Sequence, residues 1–265
     1  MSTITAQIGV PANAARYPSL HGKRVFITGG GAGIGACLVE AFARQASRVA
    51  FVDIAERESA QLVEALGAKG FAAPWWRACD VTDVPALQAA IREAAAELGD
   101  FNVLVNNVAS DDRHAIDAVT PEYWDQRMAI NQRPAFFAIQ AVLPAMRKAR
   151  SGSIVNLGST GWQAKTGGYT AYATAKASVM GLTRGLAKEL GADRIRINVV
   201  SPGWVMTERQ LRMNAVPDMA GELARIQCVR DPIQAHHIAA MVVFLASDDA
   251  AACTAQEFVV DAGWT

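Results

Sequence analysis

Short apolar runs rich in valine and isoleucine alternate along this chain with longer amphipathic stretches. No other feature constrains the fold as tightly. The runs lie at residues 25–28, 48–53, 101–106, 154–157, 195–201 and 258–261, with a weaker one at 74–79. Helical patterns fill the intervals at 34–45, 57–67, 84–98, 121–148, 171–191 and 232–247. Apolar runs of this length read as strands buried on both faces, and the helices between them make the strands parallel. Right-handed crossovers then give an α/β fold, a single doubly wound Rossmann-type domain. Its parallel sheet is expected to have about seven strands, with helices on both faces.

The chain has 265 residues, 51% of them hydrophobic, with 25 basic against 25 acidic side chains. That composition supports one large buried core and excludes a disordered polyelectrolyte. Zero net charge gives no global reason to bind nucleic acid or an anionic membrane. Cys37, Cys79, Cys228 and Cys253 are scattered without a CxxC pair, which fits reduced thiols in a cytoplasmic protein. No apolar run is long enough to span a bilayer. Residues 1–19 read as a flexible lead-in and 20–265 as one dinucleotide-binding catalytic domain. Residues 205–227 interrupt the alternation without a strand and suit a flap over a site. The adjacent His236 and His237 lack metal-ligand spacing with carboxylates, so no metal is expected.

The first chemical signal follows the first strand directly: Gly29-Gly30-Gly31-Ala32-Gly33-Ile34-Gly35, then a helix. Glycine lets the backbone turn sharply and approach a pyrophosphate closely, and the helix start offers free N–H groups to an anion. The next strand ends in Asp53, placed to accept hydrogen bonds from an adenosine ribose and to repel a 2′-phosphate. Ile54 follows it and no base lies in the glycine loop, which favours NAD over NADP, although Arg57 is near in sequence.

The second signal is Tyr172 and Lys176, four residues apart at the start of a helix and so on one face. A lysine ammonium beside a phenol is expected to lower the phenol's pKa and make it a base. Ser159 follows the strand at 154–157, at the carboxyl edge where open α/β sheets bind ligands, and its hydroxyl suits holding a reacting oxygen.

Together these features resemble the short-chain dehydrogenase/reductase family, over nearly the whole chain from about Leu20. Thr28 through Gly35 is similar to its TGxxxGxG cofactor loop. Asp80-Val81 resembles its adenine-contacting pair. Asn106-Asn107-Val108-Ala109 resembles its NNAG motif, with Val108 and Ala109 in place of Ala and Gly. The resemblance implies a catalytic set of Asn131, Ser159, Tyr172 and Lys176, with Asn131 holding a water in a proton relay. It further implies cofactor contacts from Gly29, Gly33, Ile34, Gly35, Asn107, Tyr172, Lys176, Pro202, Gly203, Val205 and Thr207.

Within that family the motifs at 106–114, 156–159, 202–205, 227–228 and 260–264 are similar to sugar dehydrogenases, which oxidise an aldose at C1 to its lactone. The loops expected at the pocket carry Asp111, Arg113, His114, Gln163, Trp204 and Arg209. With Ser159 and Tyr172 they form the expected substrate-binding set, since polar groups beside an indole suit a polyol. Gln163 and residues 164–168 depart from the stretch that carries a His in xylose enzymes, which favours a galactose-configured sugar, D-galactose or L-arabinose, over D-xylose or L-fucose. The resemblance also implies a homotetramer or homodimer built on the helices at 121–148 and 171–191. The competing readings are a reductase of a ketone or 3-oxoacyl thioester, a non-catalytic nucleotide-binding regulator, and a methyltransferase. Asp53 and the polar loops oppose the first, the intact tetrad opposes the second, and the Tyr172/Lys176 pair is unexplained by the third.

Overall fold

A computed structural model of the chain describes residues 5–6, 9–213 and 216–265. Parts of the expected lead-in and flap, residues 1–4, 7–8 and 214–215, lie outside the described residues. The strands are β1 (Arg24–Thr28), β2 (Arg48–Asp53), β3 (Trp75–Ala78), β4 (Val103–Asn106), β5 (Gly152–Leu157), β6 (Ile195–Pro202) and β7 (Glu257–Val260). They form one seven-stranded sheet in the order β3-β2-β1-β4-β5-β6-β7, every pair parallel. The helices are α1 (Gly33–Arg44), α2 (Glu56–Ala68), α3 (Val84–Leu98), α4 (Pro121–Asn131), α5 (Arg133–Ala149), α6 (Thr170–Gly191), α7 (Glu208–Met213), α8 (Met219–Ile226) and α9 (Ala235–Ala246). The fold is the single doubly wound Rossmann-like domain that the alternation implied.

Side chains of each strand divide between two cores, as a strand's period of two requires. Val25 and Ile27, Val49 and Phe51, and Val103 and Val105 face α1 and α9. Phe26, Ala50, Val52 and Leu104 face α3 and α5. Burial on both faces explains why these strands are continuous apolar runs rather than alternating ones.

The strand order reverses between β1 and β4, so the connections leaving these neighbours diverge to opposite sides of the sheet. A crevice opens there at the carboxyl ends of the strands. Thr28 leads into the glycine loop and Asn106 into the loop at 107–115, and both loops therefore border that crevice.

The helical pattern at 121–148 proves to be two helices. The chain breaks at Gln132, with φ −127° and ψ −53°. Pro134 has no N–H to give the Ile130 carbonyl one turn back, and its ring crowds that carbonyl. Pro144 is nevertheless carried inside α5, so proline alone does not dictate the break. The Asn131 side chain adds a second cause, tying the end of α4 to Ser110 of the neighbouring loop.

The segment expected as a flexible lead-in is held at several points. Tyr17 N–H donates to Gln45 Oε1 at 2.8 Å, and Gln45 Nε2 donates to the Ala15 carbonyl at 2.9 Å. Val10 and Tyr17 pack against the core beside α9. The segment 205–227 contains α7 and α8, and Val205 forms an isolated parallel bridge with Ile233. No described helix is long and apolar enough to cross a membrane.

Candidate active site

A cleft of about 1520 Å³ runs along the carboxyl edge of the sheet. Pockets for drug-sized ligands occupy roughly 300–1,000 Å³, so this one has room for a dinucleotide and a second small molecule.

Its floor at the β1 end is the glycine loop. Gly29 and Gly33 take φ of +70° and +55°, a backbone region in which a side chain is strained. A Cβ on Gly30 would sit 2.5 Å from the Phe51 side chain, and one on Gly35 would overlap the Gly29 carbonyl oxygen. No side chain fits at Gly30 or Gly35 for that reason. Asn107 braces it, its Nδ2 donating to the carbonyls of Gly29 at 2.7 Å and Thr28 at 3.2 Å. Asn107 thus holds the loop in shape while lining the cleft itself. The N-terminus of α1 opens from this loop with no side chain capping it. Its unpaired N–H groups and the helix dipole favour an anion there.

Asp53 closes this end. Its carboxylate accepts from Gly31 N–H at 2.8 Å and from Ala55 N–H at 2.9 Å, fixing it at the rim. Asp80 lies beside it, accepting from Thr82 N–H at 2.9 Å, and Val81 is buried in the same wall. Arg57 also borders the cleft but pairs with Glu58 at 2.8 Å. The glycine loop, the open helix start and the rim carboxylate fit a dinucleotide.

At the β5 end Ser159, Tyr172 and Lys176 converge on the same cleft. Ser159 follows β5, while α6 supplies the other two from its first two turns. The Lys176 side chain is buried and donates from Nζ to the Leu157 carbonyl at 2.8 Å. Its ammonium lies 6.0 Å from the centre of the Tyr172 ring. Burial pulls the Lys176 pKa down to about 8.

The expected lowering of Tyr172 is not met. Burial pushes the Tyr172 phenol above its ordinary value; a hydrogen bond with Ser159 and the Arg113 charge oppose this, and the Asp111 carboxylate reinforces it. The physical reason is that desolvation penalises a phenolate. The lysine charge is meanwhile directed at a strand-end carbonyl.

Asn131 ends α4 below this group, buried. Its Oδ1 accepts from Ser110 N–H at 2.8 Å, and its Nδ2 donates to the carbonyls of Arg127 at 3.0 Å and Ser110 at 3.1 Å. A void of about 10 Å³ separates Asn131 from Lys176, close to the size of one water.

Pro202 at the end of β6, with Gly203 and Trp204 after it, lines the cleft. Gly203 N–H donates to the Val260 carbonyl at 3.0 Å, and the Pro202 carbonyl accepts from Thr160 Oγ1 at 3.2 Å. Val205 is buried beneath them. Thr207 stands opposite Gly33, whose Cβ position is 3.5 Å from Thr207 Cγ2, so flap base and glycine loop face each other. Thr207 Oγ1 accepts from Gln210 N–H at 3.2 Å at the start of α7.

Of the residues expected to meet a substrate, Asp111, Arg113, Trp204 and Arg209 border the cleft and His114 and Gln163 do not. His114 lies 3.1 Å from the Tyr123 hydroxyl through Nδ1 and accepts from Ala171 N–H at 3.4 Å through Nε2, so it clamps α4 to the start of α6. Gln163 donates to Glu257 at 3.0 Å and turns toward β7. Arg113 stacks 4.1 Å over the Tyr169 ring, which meets the Tyr172 ring edge-on at 5.4 Å.

Tyr169, Gln210 and Trp264 also line the cleft without having been anticipated as site residues. Tyr169 lies one turn before Tyr172, a spacing that sequence reading could have used. Trp264 arrives from the far end of the chain, in the 260–264 motif, whose resemblance did not say that it reaches the site. No group of three or more His, Cys, Asp and Glu is placed to hold a metal ion among the described residues.

Residues 29–265 match a family described as Enoyl-(Acyl carrier protein) reductase. The chain is 45% identical to the probable galactose dehydrogenase GalD of Rhizobium meliloti (strain 1021), covering 94% of this chain and 98% of that protein. It is 46% identical to D-xylose 1-dehydrogenase of Caulobacter vibrioides (strain NA1000 / CB15N), covering 95% and 99%. Among solved structures, a short-chain dehydrogenase/reductase from Serratia marcescens superposes with a TM-score of 0.85 at 30% identity, covering 93% of this chain and 99% of that one. A blue fluorescent protein from a metagenomic library, in complex with NADPH, superposes with a TM-score of 0.83 at 35% identity over the same shares.

Proposed function

The chain belongs to the short-chain dehydrogenase/reductase family, an oxidoreductase family that works with a nicotinamide cofactor, and we propose that it oxidises an aldose at C1 to the aldonolactone with NAD. One observation carries the reading: Ser159, Tyr172 and Lys176 stand on the wall of the same cleft whose other end is the glycine loop and Asp53. The two sugar dehydrogenases similar over nearly their whole length supply the substrate class.

When bound, the oxidised nicotinamide supplies the two-electron acceptor. Ser159 holds the C1 oxygen of the sugar. Tyr172, on the same face and bonded to Ser159, takes the hydroxyl proton as the C1–H bond gives up its electron pair. Lys176, its ammonium oriented by Leu157, would steady the phenolate and hold a ribose of the cofactor. Asn131 and the void beside Lys176 give the proton a way out through one water. Burial raises the Tyr172 phenol above its ordinary value, and the positive charge that a bound oxidised nicotinamide would bring opposes that effect. Gly29, Gly33, Ile34, Gly35, Asp80, Val81, Pro202, Gly203, Val205 and Thr207 shape the cofactor's place, and Asn107 holds the loop.

NAD is favoured because Asp53 stands at the rim, where its carboxylate would repel a 2′-phosphate. The sugar lies between Trp204 and the polar rim of Asp111, Arg113 and Arg209. A galactose-configured aldose remains the first candidate, with D-xylose and L-fucose beside it. Gln163 no longer bears on that choice, since it points away, whereas Thr166 of the same loop borders the cleft.

We further place the protein in the cytoplasm, in keeping with four unpaired thiols, as a homotetramer or homodimer. Exposed Phe136 on α5 and Val259 on β7 suit subunit contacts. Residues 20–265 act as one catalytic unit with 205–227 as its flap. The test is reduced-cofactor absorbance with a panel of D- and L-aldoses, run with NAD and with NADP. Turnover of one aldose with NAD supports the reading. Turnover only of a ketone or acyl thioester with NADPH overturns it.

A further inference from the structure

We propose that Arg113, seated on the Tyr169 ring, is a positioning residue for Tyr172: it holds a positive charge beside the base through the aromatic pair, and Asp111 opposes it. This deepens the reading of Tyr172 as the base and rests on it.

Two loops join to make the seat. His114 N–H donates to the Gly168 carbonyl at 2.8 Å, and Arg113 Nη1 donates to the Gly167 carbonyl at 3.1 Å. Gly168 takes φ of +83°, a region that favours glycine, and the chain turns there into the start of α6. The Arg113 guanidinium lies 4.1 Å over the Tyr169 ring, close enough for a cation–π attraction. Tyr169 is buried, and a Cβ on Gly161 would sit 2.3 Å from its hydroxyl oxygen. Its ring meets that of Tyr172 edge-on at 5.4 Å. The Tyr169 ring is thus enclosed by Gly161, Tyr172 and Arg113, and it fixes where the cation stands. The guanidinium is less than about 10 Å from the Tyr172 ring, near enough for its charge to act there.

The other charged and titratable groups around Tyr172 are engaged elsewhere. Lys176, on the same helix, gives its ammonium to the Leu157 carbonyl. His114 is held between Tyr123 and the Ala171 N–H. On α4, Arg127 pairs with Asp112, and Glu122 and Asp125 are exposed to solvent. β5 and the turn after it, through residue 162, bring the Ser159 hydroxyl and no charged side chain. Arg196 of β6 donates to the carbonyls of Cys253 and Ser247. Arg209 pairs with Asp111 and Asp112. Burial raises the Tyr172 phenol; the Arg113 charge works against that, and the half-buried Asp111 carboxylate works with it. Arg113 is itself exposed, so solvent screens part of its charge and its effect is modest.

The experiment records the pH profile of kcat/KM for the full-length wild type, Arg113→Gln, Arg113→Lys, Tyr169→Leu and Asp111→Asn. The acid limb should move up by about half a pH unit in Arg113→Gln and Tyr169→Leu, because each takes the cation from the base. It should move down by about as much in Asp111→Asn, which removes a negative charge and frees Arg209. Arg113→Lys should keep most of the wild-type profile. On the acid limb Arg113→Gln should lose about threefold in rate and recover it above the limb. A merely structural defect, or a lost contact to the sugar, lowers the rate at every pH instead. A limb that stays in place in Arg113→Gln, or moves the same way in Arg113→Gln and Asp111→Asn, overturns the proposal. Full turnover in Tyr172→Phe would instead overturn the reading of Tyr172 as the base. If no aldose is turned over, tyrosinate absorbance near 295 nm decides the matter without sugar, taken as the difference between each NAD-bound protein and its Tyr172→Phe counterpart. Ionisation should begin at higher pH in Arg113→Gln than in the wild type and at lower pH in Asp111→Asn, and identical onsets would overturn the proposal.

Discussion

Lys176 Nζ is bonded to the Leu157 carbonyl at 2.8 Å, so the charge in the cleft floor is oriented by the end of a central strand. The bond joins α6 to β5 at the point where Ser159 leaves the sheet. It keeps the ammonium near Tyr172 while burial makes that charge costly.

The cost has a sign that can be measured. The Lys176 pKa falls from 10.5 to about 8 on folding, so below pH 8 the folded protein carries a charge it would rather release. That penalty, about 3 kcal/mol for a shift of this size, is fully present below the folded pKa and is relieved as pH rises toward the unfolded value. Lys176→Met should therefore abolish turnover yet raise stability at pH 7 by about 2 kcal/mol, after the loss of about 1 kcal/mol for the Leu157 bond. Thermal melts from pH 7 to 10 should show the advantage shrinking above pH 8. An advantage that grows with pH would contradict the assignment.

Tyr172→Phe removes the proton acceptor without altering the packing of the Tyr169 ring against it. We expect kcat to fall about a thousandfold or more, in the upper range of general-base effects. NAD binding, followed by fluorescence titration, should be unchanged. Retained turnover would dismiss the phenolate.

Asp53→Ser loses the charge that rejects a 2′-phosphate and weakens the carboxylate bonds to Gly31 and Ala55. The KM for NAD should rise about thirtyfold, within the range for lost charge-assisted hydrogen bonds, while NADP turnover appears or increases. A cofactor preference that does not move would mean that Arg57 and its surroundings set it instead.

Gly35→Ala places a methyl group on the Gly29 carbonyl oxygen, a backbone atom that cannot step aside. About 3 kcal/mol of destabilisation and a Tm lower by roughly 10 °C are expected, with cofactor binding lost together with the loop's shape. Gly67→Ala in α2, where a methyl group meets nothing within 4 Å, should instead gain about 0.5–1 kcal/mol. Equal Tm values for the two variants would contradict the close packing of the loop.

Much of this architecture was legible before any coordinates. Period-two burial in β1, β2 and β4 leaves a continuous apolar run, and the glycine loop follows β1 directly, so fold and phosphate cradle are written in contiguous residues. Tyr172 and Lys176 share a helix face by spacing alone. The division of 121–148 into α4 and α5 was harder to read, because apolar periodicity continues across Gln132 while Pro134 and the Asn131–Ser110 bonds interrupt the backbone. His114 and Gln163 looked like pocket residues from their loops, but a loop's position does not say which way a side chain turns. Each found a partner elsewhere, His114 at Tyr123 and Gln163 at Glu257.

The sequence by itself determined the layered sheet, the cradle, the rim carboxylate and the tyrosine–lysine pair, since each depends on neighbours within a few turns of chain. Only the tertiary structure decided that Lys176 answers to Leu157, that burial raises rather than lowers the Tyr172 phenol, and that Trp264 reaches the cleft. It also brought Arg209 to Asp111 from 98 residues away. Periodicity reports which face a residue occupies, whereas desolvation and ion pairing depend on what the folded chain packs against that face, and those neighbours are distant in sequence.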